Sequence, residues 1–575
     1  MISLFKGLKP YAWSLVGIVL FLFAQAMAEL YLPTLMSDVV NNGMLKGDTG
    51  YIWKYGAYML MVALASSSCS VCGSFLSALV GIGFGRDTRN QVFTHVESYS
   101  LQEFDKISTA SLITRTTNDI IQVQTLLVMG LRFIIYSPIM CIGGIIMAYS
   151  KDKGLTLVLA VVVPLMILLI GGVTSLIVPL FRAMQTKLDR VNLVMRENLT
   201  GIRVIRAFNR IKKETERFRD ANRDLTDNSI KVNKIMAAMQ PIMMILMNFT
   251  SIAIIWFGGI RIAQNVMQLG DMMAFLQYAM QIMFSIIMVT IMFVMVPRAQ
   301  ASAVRINEVL AIDPDIVDPE DPEEPGEDRG YVEFRDVTFS YPGAEEPAIS
   351  NISFSVRPAE VTAIIGGTGS GKSTLINLIP RFFDVDSGCV LVDGVDVRKL
   401  RQKDLRAKIG FVPQTPVLFS GTILDNIRYG KPDAIEEEIR HAARVAQASE
   451  FIDELEEGYS AQISQGGTNL SGGQKQRLSI ARAVVRQPGI YILDDSFSAL
   501  DFKTDARLRA ALGQETMNST VIIVAQRVST VMDANRIIVL DEGRIAGIGS
   551  HKELMQSSEI YREIVLSQLA EEEIA

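Results

Sequence analysis

Cysteine is scarce in this chain: four residues in 575. That excludes a fold built on disulfides. Histidine is scarcer, with His95, His441 and His551 scattered and forming no ligand cluster. Charged residues are only 20% against 49% hydrophobic, and the mean hydropathy is +0.28. These values argue against an ordinary soluble enzyme, and against disorder, which needs low hydrophobicity and high net charge. There is no basic excess either. Lys and Arg number 55 and Asp and Glu 61, leaving −6, so the charge gives no reason to expect a nucleic-acid partner. Length alone suggests roughly three to five domains, but the composition shifts along the chain and changes that count.

Up to about Pro297 the chain is dominated by long apolar runs, and from Gly330 it turns to short strands, Gly-rich turns and charged helices. Between them, residues 312–329 (IDPDIVDPEDPEEPGEDR) alternate Pro with acidic residues. Such a stretch reads as a solvated linker. The expected domains are therefore 1–311, the linker 312–329, and 330–575. A bilayer core needs about 20 apolar residues in a helix, and the first domain offers six such runs. They are Trp13–Leu35, about Tyr55–Ile82, about Leu126–Tyr149, Leu155–Leu180, about Ile235–Ile260 and Met272–Val296. The first is too long for a cleaved signal peptide and has no A-x-A-type site after it.

The basic residues set the orientation. Phe181–Lys234 carries fourteen Lys and Arg, among them Arg182, Arg203, Lys212 and Arg223, and 86–119 carries Arg86, Arg89, Lys106 and Arg115. The opposite loops, 41–52, 150–154 and 263–271, are short. The expectation is a cytoplasmic N-terminus, two cytoplasmic long loops and a cytoplasmic second half. Polar helical periodicity in both long loops predicts that the membrane helices run on beyond the bilayer.

The second half carries a phosphate-binding signal. Gly366-Gly-Thr368-Gly369-Ser370-Gly371-Lys372-Ser373-Thr374 fits G-x-x-x-x-G-K-[ST]. It follows the apolar strand 361–365 and opens an apolar helix, which is the context the motif requires. Glycines let backbone N–H groups curl around phosphate oxygens at a helix N-terminus. Lys372 is suited to the β- and γ-phosphates and Ser373 to Mg²⁺. Further on, Gly489-Ile-Tyr-Ile-Leu493-Asp494-Asp495 reads as a buried strand ending in two carboxylates. Asp494 is suited to hold Mg²⁺ through water. The next position normally holds the base that polarises the attacking water.

Between these motifs stands Leu470-Ser471-Gly472-Gly473-Gln474, followed by Lys475-Gln476-Arg477. On this signature the chain resembles the ATP-binding cassette (ABC) transporters, over essentially its whole length. The resemblance implies an α-helical six-helix transmembrane domain followed by an α/β P-loop nucleotide-binding domain, a half-transporter of the exporter type. It implies ATP and Mg²⁺ as cofactors. It implies that Tyr341 stacks on adenine, that Gln414 in Phe411-Val-Pro-Gln414 senses Mg²⁺, and that Ser498-Ala-Leu-Asp501 is the D-loop. It places coupling segments near Glu103–Lys106 and Leu199–Arg206.

Three departures from the family pattern stand out. Position 495 is Asp where the family usually has Glu. One methylene fewer sets the carboxylate back roughly 1–1.5 Å, and a misplacement near 1 Å can cost on the order of 100-fold in rate. Position 526 is Gln where the family has a His, and Gln cannot carry a positive charge. The stretch 462–467 lacks the acidic and basic residues the family tends to have. In the family, each ATP lies between the P-loop of one cassette and the signature of another. Paired with itself, this chain would have two slow sites. Paired with a different half, its intact Ser471–Gln474 signature would complete the partner's site, while its own P-loop mainly holds ATP. A heterodimer is favoured over a homodimer. The expected function is ATP-driven export of hydrophobic or amphipathic small molecules, from a multi-pass position in a bacterial cell membrane in contact with its lipid. The competing readings are a nucleotide-gated regulatory or channel subunit and an exporter-fold importer.

Other residues keep two readings. Glu29 lies within the first run near Gln25. An intramembrane carboxylate points to function, yet near the outer interface it can simply snorkel or pair. Met243, Met244, Met247, Met280, Met283, Met288, Met292 and Met295 enrich the fifth and sixth runs, which suits either an adaptable cavity or plain packing. Asn248, Gln277 and Gln281 would line that cavity or bond between helices. Cys69-Ser-Val-Cys72 sits in an apolar run, where redox or metal chemistry is not expected.

Overall fold

The computed structural model describes residues 2–324, 326 and 330–568. The apolar runs become helices far longer than a bilayer needs, because the polar stretches flanking them keep helical periodicity. The helices are α1 (Ala12–Asp38), α2 (Thr49–Glu97), α3 (Ile120–Lys151), α4 (Thr156–Thr200), α5 (Ile211–Ala263) and α6 (Leu269–Leu310). All six are long and apolar enough to cross a membrane, each as part of a continuous helical span. Prolines do not stop these helices: Pro33, Pro138, Pro164, Pro179, Pro241 and Pro297 all lie inside them.

The helices are tied together at their short-loop ends. Lys151 Nζ meets Asp271 Oδ1 at 2.9 Å, and the Ser37 hydroxyl donates to the same oxygen at 2.8 Å. Arg261 Nε donates to Asp152 Oδ2 at 2.8 Å. Toward the other end, Arg305 on α6 pairs with the buried Asp119, which also accepts from the Ser302 hydroxyl at 2.9 Å. The apolar interior between these ties includes Met166, Phe275, Tyr278, Ile282 and Met283. The methionines divide: Met243, Met283 and Met292 are buried, whereas Met244 and Met288 are exposed.

The second compact unit comprises 98–107 and 313–575. Its strands are β1 (Val332–Phe339), β2 (Ile349–Val356), β3 (Val361–Gly366), β4 (Ser387–Val392), β5 (Val395–Asp396), β6 (Ile409–Val412), β7 (Ile490–Asp494), β8 (Thr520–Val524), β9 (Arg536–Asp541) and β10 (Arg544–Gly549). One sheet runs β2-β1-β4-β5 and is antiparallel. The other runs β10-β9-β3-β8-β7-β6, parallel except for β10. The interiors of β3, β7 and β8 are buried apolar runs, as a parallel sheet covered on both faces requires. Their C-terminal ends are where ligands gather in such sheets.

The acidic stretch after α6 does not stand free. Ile316 is buried, Asp318 accepts from the Gln402 N–H at 3.0 Å, and Glu323 pairs with Lys399 at 2.7 Å. One apolar side chain and a few cassette partners dock a stretch whose composition alone suggests solvation. Residues 325 and 327–329 of the expected linker lie outside the described residues. Gly330 is pinned where the sheets begin, its N–H donating to Asp393 Oδ1 at 2.7 Å. The short helix Leu101–Lys106 belongs to this unit too, closed by a capping box between Ser100 and Glu103.

Candidate nucleotide site

The loop between β3 and the helix α7 (Lys372–Leu378) is shaped by its glycines. Gly371 caps α7 with φ 92°, a left-handed conformation that favours glycine. A Cβ at Gly366 would lie 2.1 Å from the Leu540 carbonyl oxygen, so no larger residue fits there. Thr368 and Gly369 form the exposed crest, and Ser370 is buried beneath it.

Lys372 folds back over this loop. Its Nζ donates to the carbonyls of Gly366 at 3.0 Å and Gly367 at 2.6 Å, and to Ser370 Oγ at 3.4 Å. The residue is only 8% exposed. Burial pulls its ammonium below the usual lysine range, against the opposing pull of Asp494 and Asp495. The Ser373 hydroxyl donates to Asp494 Oδ1 at 3.3 Å, bringing the end of β7 against the start of α7. Burial holds Asp494 above the ordinary carboxylate range; Ser373 opposes this, Asp495 adds to it and Lys372 opposes it. A hydroxyl and a carboxylate side by side make an all-oxygen donor set that fits Mg²⁺.

Asp495 follows with φ 45°. Its N–H donates to the Val524 carbonyl at 2.9 Å, and Gln414 Nε2 reaches its Oδ2 at 3.5 Å. Gln526 stands exposed two residues past β8, its backbone carbonyl accepting from Gln568 Nε2 at 2.8 Å. Tyr341 bonds Thr374 Oγ1 at 3.0 Å and packs edge-on against Phe339 and Phe383. The residue stays 38% exposed, which leaves ring surface available to a flat partner.

The signature segment stands apart from this group. Ser471 is the N-cap of the helix α8 (Gly472–Val484) and forms a reciprocal capping box with Gln474. Gly473 runs close to the Ala499 carbonyl, where a Cβ would sit at 3.1 Å. Among the described residues, no hydrogen bond joins Ser471, Gly472, Gly473 or Gln474 to the Gly366–Thr374 loop. Asp501 caps the next helix, accepting from the Thr504 N–H at 3.0 Å.

The remaining singled-out residues take structural partners. His441 bonds Glu515 at 2.9 Å and His551 bonds Tyr561 at 2.8 Å. Cys69 and Cys72 are free thiols. Glu29 is bonded by residues on neighbouring helices and by Gln25 on its own. No motif singles out Arg132, although an Arg inside an apolar run carries the same signal as Glu29. A cavity of about 850 Å³ lies among α3, α4 and α6, lined mainly by apolar side chains such as Ile142, Ile170 and Val289, with Ser137 and Thr174.

Comparison with known proteins agrees with this architecture. Residues 15–286 match the family of ABC transporter transmembrane regions, and 349–498 match the ABC transporter family. An ABC transporter ATP-binding protein of Mycobacterium tuberculosis is 42% identical over 98% of this chain and 97% of its own. An ATP-dependent lipid A-core flippase of Syntrophus aciditrophicus is 31% identical over 90% of this chain and 86% of its own. The ATP-bound structure of a bacterial Atm1-family ABC exporter superposes with a TM-score of 0.79, at 25% identity, covering 98% of this chain and 99% of that one. With six membrane-spanning helices joined to an ATP-binding α/β domain, the chain belongs to the ABC transporter family, as a multi-pass membrane protein of the exporter fold.

Proposed function

We propose that this chain is one half of an ATP-driven exporter that moves amphipathic or hydrophobic molecules, lipids included, out of a bacterial cytoplasm. The lipid A-core flippase among its relatives and the apolar cavity among α3, α4 and α6 support that cargo class. The basic long loops support a cytoplasmic cassette and N-terminus.

In this reading Tyr341 stacks on adenine, and the Gly366–Gly371 loop, with Ser370 and Thr374, cradles the phosphates. Lys372 exchanges its loop carbonyls for phosphate oxygens, as a charge-assisted contact favours. Ser373, Asp494 and Gln414 would hold Mg²⁺, which neutralises charge on the terminal phosphates. Asp495 and Gln526 occupy the positions that handle the attacking water. The Asp at 495 and the Gln at 526, at the two positions that handle the attacking water, carry the degenerate-site reading, and the 3.5 Å reach of Gln414 to Asp495 accords with a carboxylate that stands back. A second, different half-transporter then supplies the faster site, completed by Ser471, Gly472, Gly473 and Gln474 of this chain.

The test is expression of this chain alone and with a second, different ABC half-transporter from the same source, purification in lipid, and measurement of composition and ATP turnover. A two-chain complex whose turnover survives Asp495→Asn but not loss of the partner's catalytic carboxylate supports the asymmetric exporter. A self-paired chain silenced by Asp495→Asn overturns it.

A further inference from the structure

Glu29 and Arg132 are opposite charges within apolar spans, yet each bonds only neutral groups among the described residues. The Glu29 carboxylate accepts from Gln25 Nε2 at 2.9 Å, from Ser66 Oγ at 3.3 Å, and from the Tyr136 hydroxyl. Arg132 Nη2 makes one long bond, to Ser70 Oγ at 3.4 Å. The two groups form a ladder. Ser66 and Ser70 are one turn apart on α2, and Arg132 and Tyr136 are one turn apart on α3. The acidic and basic rungs are thus offset by about 6 Å along the helices, at 1.5 Å per residue. Glu29 lies eight residues before Ser37, which bonds Asp271 at the short-loop end, so the acidic rung is about 12 Å inside that end.

The acidic rung has acceptors to spare. Gln25 is 4% exposed and its Oε1 has no partner; Gln281 Oε1 is likewise buried and unbonded, while its Nε2 donates to the Glu29 carbonyl at 3.3 Å. Buried acceptors left unmatched are costly, and so are charges in a bilayer. The basic rung has the opposite surplus, since a guanidinium carries five N–H donors. An anionic or cationic amphiphile would answer one rung and leave the other charge unmet. A headgroup carrying a phosphodiester and a primary ammonium, separated by a two-carbon link of about 4–5 Å, answers both.

We propose that the polar seam of α1, α2, α3 and α6 binds a zwitterionic amphiphile with a primary ammonium. The ammonium sits at Glu29 and Gln25 and the phosphate at Arg132. This rests on the reading of amphipathic cargo above. A quaternary ammonium has no N–H for Gln25, so an ethanolamine headgroup is preferred over choline.

The experiment is native mass spectrometry of the intact purified transporter, without ATP, against equimolar phosphatidylethanolamine, phosphatidylcholine and phosphatidylglycerol. The wild type is expected to prefer phosphatidylethanolamine by about 10-fold or more, the worth of one charge-assisted hydrogen bond. Glu29→Gln and the near-isosteric Gln25→Met are expected to erase the preference over phosphatidylcholine. Arg132→Gln is expected to weaken both zwitterionic lipids about 10-fold. Equal binding of the three lipids by the wild type, or an unchanged preference in all three variants, overturns the site. So does a thermal stability that falls in Glu29→Gln and Arg132→Gln and returns in the double variant, because the charges would then serve each other. Headgroup selectivity without lipid movement in ATP-driven proteoliposomes would instead count against the export reading.

Discussion

The Gln414 amide stands 3.5 Å from the Asp495 carboxylate, beyond the 2.7–3.2 Å of a well-formed N–H···O bond. Lengthening the side chain closes that gap. Asp495→Glu is expected to raise ATP turnover at this chain's own site by about 10- to 100-fold, with Gln526→His adding to it. Single-turnover hydrolysis, with the partner's site disabled, reads the effect. A rate that stays level or falls means the carboxylate at 495 is not what limits the site.

Asp494 gives nucleotide binding a pH dependence with a definite sign. Burial first, and Asp495 further, hold the Asp494 carboxyl above the ordinary carboxylate range. It therefore gains a proton at a higher pH than an exposed Asp, and a protonated carboxyl is a poor metal ligand. The Mg²⁺-dependent part of ATP affinity should begin to fall, as the pH is lowered, above the range where an exposed Asp titrates. Fluorescent-nucleotide titration measures this, and Asp494→Asn should remove the share of the pH dependence that the carboxyl supplies.

Asp119 is buried, paired with Arg305 and bonded to Ser302. Asp119→Ala removes the buried carboxylate from Arg305, whose side chain stays 45% exposed to water, and should destabilise the helical domain by about 1–2 kcal/mol. Thermal unfolding in detergent reads the effect. An Asp119→Ala variant that melts with the wild type would show that Arg305 finds another partner.

Gly366 permits no side chain. Gly366→Ala sets a Cβ 2.1 Å from the Leu540 carbonyl, so β3 must shift against β9. ATP binding is expected to fall at least about 10-fold, with a lower cassette melting temperature. Gly367→Ala, with open space at its Cβ, is the control and should retain the fold.

What was legible in the sequence was local. Six helices follow from apolar runs, and the P-loop follows from a glycine pattern between a strand and a helix. Gln281 was readable either as lining a cavity or as bonding between helices, and its Nε2 reaches the Glu29 carbonyl. The partners of Glu29 were not readable, since Ser66, Tyr136 and Gln281 come from three other helices and no spacing relates them. The acidic stretch also escaped composition: Ile316 and Val317 stand side by side among Pro and Asp, and composition does not tell that Ile316 is the one that is buried. The signature's separation from the P-loop is a matter of tertiary placement that no motif spacing carries.

The helix α2 holds 49 residues and no proline, so it spans about 74 Å as one unbroken rod. It ends at Glu97, one residue before the 98–107 segment that belongs to the cassette's compact unit. A rod of that length multiplies angle into travel. A tilt of about 5° pivoted at one end sweeps the other through roughly 6 Å, comparable to the width of a helix backbone. No proline breaks the rod, so a tilt at one end reaches the other without local unfolding.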